Sequence, residues 1–271
     1  MRVTIMIKAA FFDIDGTILD HTGDKSIFHD STAAALAALQ RKGIKVFIST
    51  GRGPALLDEI WDMFPFDGFV TFNGQLVLER DGTVLHRLVH STEDVRAIVE
   101  LCRKEGLPGM VMGERESWPL MDAPQVRGLY KWLGQEFPPL YDPEQAKEKP
   151  VIQLTLYESQ ETAGRALSPV KGAEVVSCGP GMVDVIPKGG GKEAGLNAVI
   201  SHYGFKREET AAFGDGMNDL RMIEWAGTGV AMGNAEPEVK AVADYVTTPV
   251  WADGVKNALL HLGILTDEDF K

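Results

Sequence analysis

Over its first 72 residues the chain alternates short apolar runs with stripes of helical period. Ile7 to Phe12 predicts a buried strand, Asp30 to Lys42 a helix closed by Gly43, and Ile44 to Ser49 a second strand. Pro54 sits where the first turn of a helix should begin, that helix runs to about Phe64, and Phe69 to Phe72 gives a third strand. A βαβαβ order of this kind implies a parallel, doubly wound sheet. Leu76 to Arg80 and Thr83 to Arg87, joined at Asp81-Gly82, then predict a hairpin.

The rhythm changes after that hairpin. Ser91 and Asp94 open a helix whose inner face is Val95, Ile98, Val99 and Cys102 and which ends at Gly106. A strand follows near Met110 to Met112. An irregular stretch holding Pro119 and Pro124 comes next, then a helix around Val126 to Phe137. Val151 to Tyr157 alternates as a half-buried strand, Thr162 to Leu167 is helical, and Val175 to Ser177 with Met182 to Ile186 make two more strands.

After Pro187 the earlier pattern returns. Helices are expected at Lys192 to Tyr203, Met217 to Trp225, Pro237 to Ala243 and Gly254 to His261. Strands are expected at Thr210 to Phe213, Gly229 to Ala231 and Tyr245 to Thr247. The middle block therefore reads as an insertion into an α/β core.

Composition narrows the function classes. Among 271 residues, 27 Lys and Arg stand against 39 Asp and Glu, a formal charge of −12 that argues against a nucleic-acid or anionic-membrane partner. Cys102 and Cys178 are far apart and form no CxxC, so neither a disulfide framework nor a thiolate zinc site is expected, and a reducing cytoplasm is. No secretory cleavage pattern or membrane-length apolar run is present. Met6 is a candidate start, because Met1 to Ile5 carry no motif.

Candidate chemistry gathers where strands end. Asp13-Ile14-Asp15-Gly16-Thr17 puts two carboxylates at the carboxyl edge of a parallel strand, where open α/β sheets bind ligands. One carboxylate can attack phosphorus while the other exchanges protons with the leaving group and then with water. Thr50, Gly51 and Arg52 end a second strand before a helix, with a hydroxyl and backbone N–H groups suited to phosphate. Gly214-Asp215-Gly216-Met217-Asn218-Asp219 ends a third, and hard oxygen donors from Asp13 and Asp215 suit a magnesium ion. Lys192, after Gly189-Gly190-Gly191, could neutralise charge between nucleophile and phosphate. The same glycines also fit a dinucleotide fingerprint, which leaves the aspartates unexplained; a Walker loop fails, since Glu193 stands where Ser or Thr is needed. Trp118, Tyr130 and Trp132 could line a pocket or fill a core, and Glu114, Arg115, Trp118 and Gln153 are candidate leaving-group contacts.

Taken in order, Asp13-Ile14-Asp15-Gly16-Thr17, Thr50-Gly51-Arg52, Phe72-Asn73-Gly74, Lys192 and Gly214 to Asp219 resemble the haloacid dehalogenase-like hydrolase superfamily, nearest to its Cof-type sugar phosphatases with a class IIB cap. The resemblance spans the whole chain. It implies an α/β protein with a doubly wound parallel-sheet (Rossmann-like) core, residues 1–87 and 186–271, and an inserted α/β cap, residues 88–185. It further implies a magnesium-dependent (Mg2+) phosphatase for small phosphorylated metabolites, sugar phosphates foremost, working through an aspartyl-phosphate. Asp13 would be the nucleophile and Asp15 the general acid/base; Thr50, Gly51, Lys192 and Asn218 would hold phosphate, with Arg52 and Asn73 at the edge of the site. Magnesium would take the carboxylates of Asp13 and Asp215 and the backbone carbonyl of Asp15, with Asp219 orienting metal-bound water. The second aspartate favours phosphate chemistry over dehalogenation. A phosphosugar mutase or a catalytically idle phosphometabolite-binding protein on the same fold stays open, and a monomer or weak dimer is expected.

Overall fold

The computed structural model describes residues 6–132 and 134–271; Met1 to Ile5, on which the alternative start rests, lie outside them. Two sheets organise the chain. The larger has eight strands in the order Tyr245–Val246, Thr228–Ala231, Thr210–Gly214, Ala9–Phe12, Lys45–Ser49, Gly68–Thr71, Leu76–Glu79 and Val84–Arg87. The first six are mutually parallel; the last two are the expected hairpin and close the edge antiparallel.

This sheet is doubly wound because its strands are apolar on both faces. Ala10, Phe12, Val46, Ile48 and Phe213 pack under Leu36, Leu39, Ile60 and Leu259 of the helices on one side. Their neighbours Ala9, Phe11, Phe47 and Ala212 pack under Leu196, Val199, Met222 and Val239 on the other. With side chains alternating across a strand, a continuous apolar run feeds two cores. Phe12 and Phe213 are paired in register and stack at 4.6 Å, a contact worth about 1 kcal/mol beyond burial. That pairing holds side by side the two strands from which Asp13 and Asp215 emerge.

The smaller sheet is antiparallel, in the order Ala173–Gly179, Met182–Pro187, Gln153–Leu156, Gly109–Met112 and Ser117–Pro119. Helices Thr92–Glu105 and Gln160–Leu167 cover one face through Val95, Val99, Cys102 and Ala163 against Leu154, Leu156, Val183 and Val185. Ser91 caps the first helix, its hydroxyl accepting from the Asp94 N–H at 3.0 Å. By strand alternation Gln153, Thr155, Met182 and Asp184 project from the opposite face, toward the larger sheet.

Several local expectations are corrected. The helix from Pro54 breaks into a 3-10 turn, Pro54–Leu56, and a helix Asp58–Met63, because Leu57 leaves helical geometry (φ −115°, ψ 2°). Phe72 is not in a strand but in a left-handed turn with Asn73 (φ 51° and 53°). Ser117–Pro119 is an edge strand within the stretch read as irregular, where a sheet edge tolerates a proline. The following helix is Pro124–Trp132, so Phe137 lies beyond it, folded back on Tyr130 at 5.4 Å. Among the described residues no helix is long and apolar enough to cross a membrane.

Candidate active site

Two strands of the larger sheet, Ala9–Phe12 and Thr210–Gly214, and the helix at Lys192 bring the acidic cluster and its cation to one edge. Asp13 follows the strand Ala9–Phe12 and is anchored by its own N–H donating to the Phe213 carbonyl at 3.0 Å. Lys192, the first residue of its helix, is fully buried and donates to Asp13 Oδ1 at 2.6 Å and Asp219 Oδ1 at 2.5 Å. Asp219 in turn accepts at Oδ2 from the N–H groups of Asp215 and Gly216, both at 3.0 Å. Thr17 Oγ1 donates to Asp215 Oδ1 at 3.1 Å. Carboxylate oxygens of Asp13, Asp215 and Asp219 all lie within 4.8 Å of one another.

Charge is unbalanced here. Three carboxylates share one ammonium, which leaves an excess of two negative charges when all three are ionised. Burial, with Asp219 beside it, pushes Asp215 up to about 7, and burial with Asp219 and Asp215 raises Asp13 well above the usual carboxylate range although Lys192 opposes this. Burial would lower Lys192, yet Asp13 and Asp219 together raise it, so it stays charged. An all-oxygen donor set with two unmatched charges fits a hard divalent cation.

Glycines make the cluster possible. Gly16 turns the chain at φ +84°, and a Cβ there would sit 2.2 Å from Asp215 Oδ2. A Cβ on Gly190 would meet Gln75 Oε1 at 2.2 Å; that amide also accepts from Gly191 N–H at 3.3 Å, so the glycine run before Lys192 is tied down.

Asp15 stands apart from the other three aspartates. Its carboxylate is half exposed and is held by Arg52 and by His21 Nε2 at 2.7 Å, while Ser26 Oγ bonds His21 Nδ1 at 2.8 Å. The guanidinium of Arg52 is thus engaged with Asp15. Thr50 is buried at the end of its strand, with Oγ1 accepting from Arg52 N–H at 3.2 Å. Asn73 is buried too. Its Nδ2 donates to Asp184 Oδ2 at 2.8 Å and Gln153 Oε1 at 3.1 Å, and its Oδ1 accepts from Asn218 at 3.3 Å.

A cleft of about 760 Å3 between the two sheets opens onto Asp13, Asp15, Thr50, Gly51, Arg52 and Asn218. Of the candidate leaving-group contacts, Gln153 lines it. Glu114 pairs with Arg87, Arg115 lines a neighbouring depression, and Trp118 packs on Tyr141. Trp132 lines the cleft, whereas Tyr130 is core.

Two residues escaped the sequence reading. Asn234 donates to the Gly16 carbonyl at 2.8 Å and to Asp215 Oδ2 at 3.2 Å. Its signal was positional, since Gly233-Asn234 follows another strand of the larger sheet. Asp184 interrupts the apolar strand Met182–Pro187 and lies buried on the cleft wall. An acid inside such a run was its signal.

A family model for haloacid dehalogenase-like hydrolases matches residues 10–259. The chain is 38% identical to the Bacillus subtilis (strain 168) protein YkrA over 259 residues, 95% of this chain and 98% of that one. Among solved structures, BT1666 of Bacteroides thetaiotaomicron, from a study of haloalkanoate (HAD) superfamily phosphatases, matches with TM-score 0.88 and 33% identity over 98% of both chains. The HAD subclass IIB sugar phosphatase BT4131 matches with TM-score 0.84 and 37% identity, over 95% of this chain and all of that one.

Proposed function

Since the chain belongs to the haloacid dehalogenase-like hydrolases, in their Cof-type, subclass IIB branch, and is a phosphatase, we propose that it hydrolyses small phosphorylated metabolites, sugar phosphates foremost, through an aspartyl-phosphate on Asp13. The observation that carries this reading is the contact of Asp13 with Lys192. One carboxylate oxygen is occupied by the ammonium at 2.6 Å, which leaves the other for attack. We take residues 88–185 as a cap inserted between core segments 1–87 and 186–271.

In the first step an Asp13 oxygen forms a bond to phosphorus while the bond from phosphorus to the leaving oxygen breaks, and the carboxylic acid of Asp15 gives that oxygen its proton. In the second, Asp15 takes a proton from water as the water oxygen bonds phosphorus and the bond to Asp13 breaks, releasing inorganic phosphate. Lys192, Thr50 and Asn218 steady the phosphoryl oxygens, and the backbone N–H of Gly51 adds a donor. Magnesium, held by Asp13, Asp215 and the Asp15 carbonyl with Asp219 behind, would supply charge neutralisation of the phosphoryl group. The matching sugar phosphatase BT4131 supports the substrate class.

The test is hydrolysis of p-nitrophenyl phosphate and a hexose phosphate with magnesium and after chelation. Loss of turnover in EDTA is expected, and Asp13→Asn is expected to be inactive. Wild-type rates in Asp13→Asn, under conditions that exclude deamidation, would end the covalent mechanism.

A further inference from the structure

The cleft volume of about 760 Å3 lies within the range that surrounds most of a small metabolite (~300–1,000 Å3). Its floor is the acidic cluster, and its far wall is the face of the smaller sheet opposite helices Thr92–Glu105 and Gln160–Leu167, partly overlain by helix Pro124–Trp132 through Val126 and Tyr130. What the wall offers a leaving group can be read from the residues that strand alternation turns toward it.

Asp184 supplies the strongest polar feature of that wall. Its Oδ1 accepts from Thr155 Oγ1 at 2.6 Å and its Oδ2 from Asn73 Nδ2 at 2.8 Å, so the carboxylate is fixed from both sheets. An ionised carboxylate has about four lone-pair positions; Thr155 and Asn73 take two and the Cys178 thiol beside it takes a third, which leaves room for one more donor. Burial pushes Asp184 up to about 6, and it is therefore ionised at pH 7.5. Around it the wall is apolar or weakly polar, through Met112, Leu129, Trp132, Tyr157 and Met182. Trp132 is 78% exposed and stands free to meet a ligand.

Positive charge is missing from this wall. Among the described residues lining the cleft, Arg52 is the sole cation, and its guanidinium is bonded to Asp15. Arg115 and Lys149 line the neighbouring depression, beyond Leu56, Met112 and Leu129. A carboxylate or second phosphate on the leaving group would lie near Asp184, where the nearest ammonium, Lys192, is buried and already bonded to Asp13 and Asp219, whereas a hydroxyl or amine would find an acceptor. Discrimination by an unpaired like charge is a strong form of specificity.

We propose that Asp184 is a specificity-determining residue, and that the enzyme selects phosphate monoesters whose leaving group is neutral or cationic, carries a hydroxyl or amine donor and presents an apolar face, while rejecting leaving groups that bear a carboxylate or a second phosphate. The inference rests on the phosphatase reading above and deepens it.

The experiment compares glucose 6-phosphate, glucosamine 6-phosphate, 6-phosphogluconate and glucose 1,6-bisphosphate at pH 7.5 with magnesium. Each is read as kcat/KM, or as competitive Ki against p-nitrophenyl phosphate where turnover is slow. The first two should exceed the last two by tenfold or more. Asp184→Asn should narrow the gap between glucose 6-phosphate and 6-phosphogluconate to threefold or less. Gln125→Lys, which adds a cation at an exposed cleft position, should raise 6-phosphogluconate relative to glucose 6-phosphate by at least threefold. Values within threefold of one another for all four esters in the wild type would overturn the selectivity and leave the phosphatase standing. A failure of every ester, p-nitrophenyl phosphate included, would remove the phosphatase chemistry and the selectivity with it.

Discussion

Arg52 grips both oxygens of Asp15, Nη2 to Oδ1 at 2.5 Å and Nε to Oδ2 at 3.0 Å, a forked pair that joins the ends of two adjacent strands of the larger sheet. Both side chains are partly exposed, at 33% and 44%, so the pair adds at most ~1 kcal/mol to stability. Its consequence is orientation of Asp15, the acid/base of the proposed mechanism.

Arg52→Ala is therefore expected to leave the melting temperature nearly unchanged and to lower kcat by roughly 10- to 100-fold, a part of what a positioned acid/base contributes. Arg52→Lys should recover little, because an ammonium cannot reproduce the fork. Steady-state kinetics beside thermal melts check this; an unchanged kcat in Arg52→Ala would show that Asp15 needs no such hold.

Lys192→Met should act on stability as well as chemistry. Removing one partner of a buried pair costs ~3–5 kcal/mol, and two buried carboxylates and one half-buried would be left together. A melting temperature lower by about 10 °C is expected. Millimolar magnesium should recover more of that loss in the variant than it adds to the wild type, since the cation would then neutralise an extra charge. Equal magnesium shifts in the two proteins would show that ammonium and cation do not share these carboxylates.

Gly16→Ala tests the packing of the acidic cluster. The new Cβ would meet Asp215 Oδ2 at 2.2 Å, in a backbone already at φ +84°. Gly43→Ala is a matched control, because Gly43 has φ +78° and nothing within 4 Å of its Cβ position. Both changes carry the left-handed strain of ~1–2 kcal/mol, and only Gly16→Ala displaces Asp215. We expect an apparent magnesium affinity at least tenfold weaker in Gly16→Ala, with Gly43→Ala near wild type in a titration of kcat against magnesium.

Legibility in the sequence followed locality. The strand ends that carry Asp13, Thr50 and Asp215 could be read because each is a short apolar run followed at once by polar residues, with no distant partner needed. The break at Leu57 and the left-handed pair Phe72 and Asn73 could not, since tertiary packing decides them. Arg52 and Asn73 could be named as candidates from their motifs, but their bonding could not be read. The partner of Arg52 lies 37 residues away, and the Asn73 amide is spent on Gln153 and Asp184, 80 and 111 residues on. Asp184 was hidden in a strand whose neighbours Val183 and Val185 face the other way, into the core of the smaller sheet.

That buried acid also has a pH signature. Desolvation raises the Asp184 carboxyl to about 6, against the opposing bonds from Thr155 and Asn73, while in the unfolded chain it titrates near its ordinary value of 3.8. Between those two values the folded protein keeps a proton that the unfolded chain has lost. Its contribution to stability is full below pH 4 and disappears as pH rises through about 6, by on the order of 3 kcal/mol. Asp184→Asn keeps the shape, and the Thr155 hydroxyl can turn to accept from the new amide, so the variant should fold. Its stability relative to wild type should therefore climb between pH 4 and 7 and then level off. Urea unfolding of both proteins across that range measures the difference directly. A flat difference would mean that Asp184 is solvated and ionised in the folded protein throughout, and the cleft wall would then be wetter than its packing indicates.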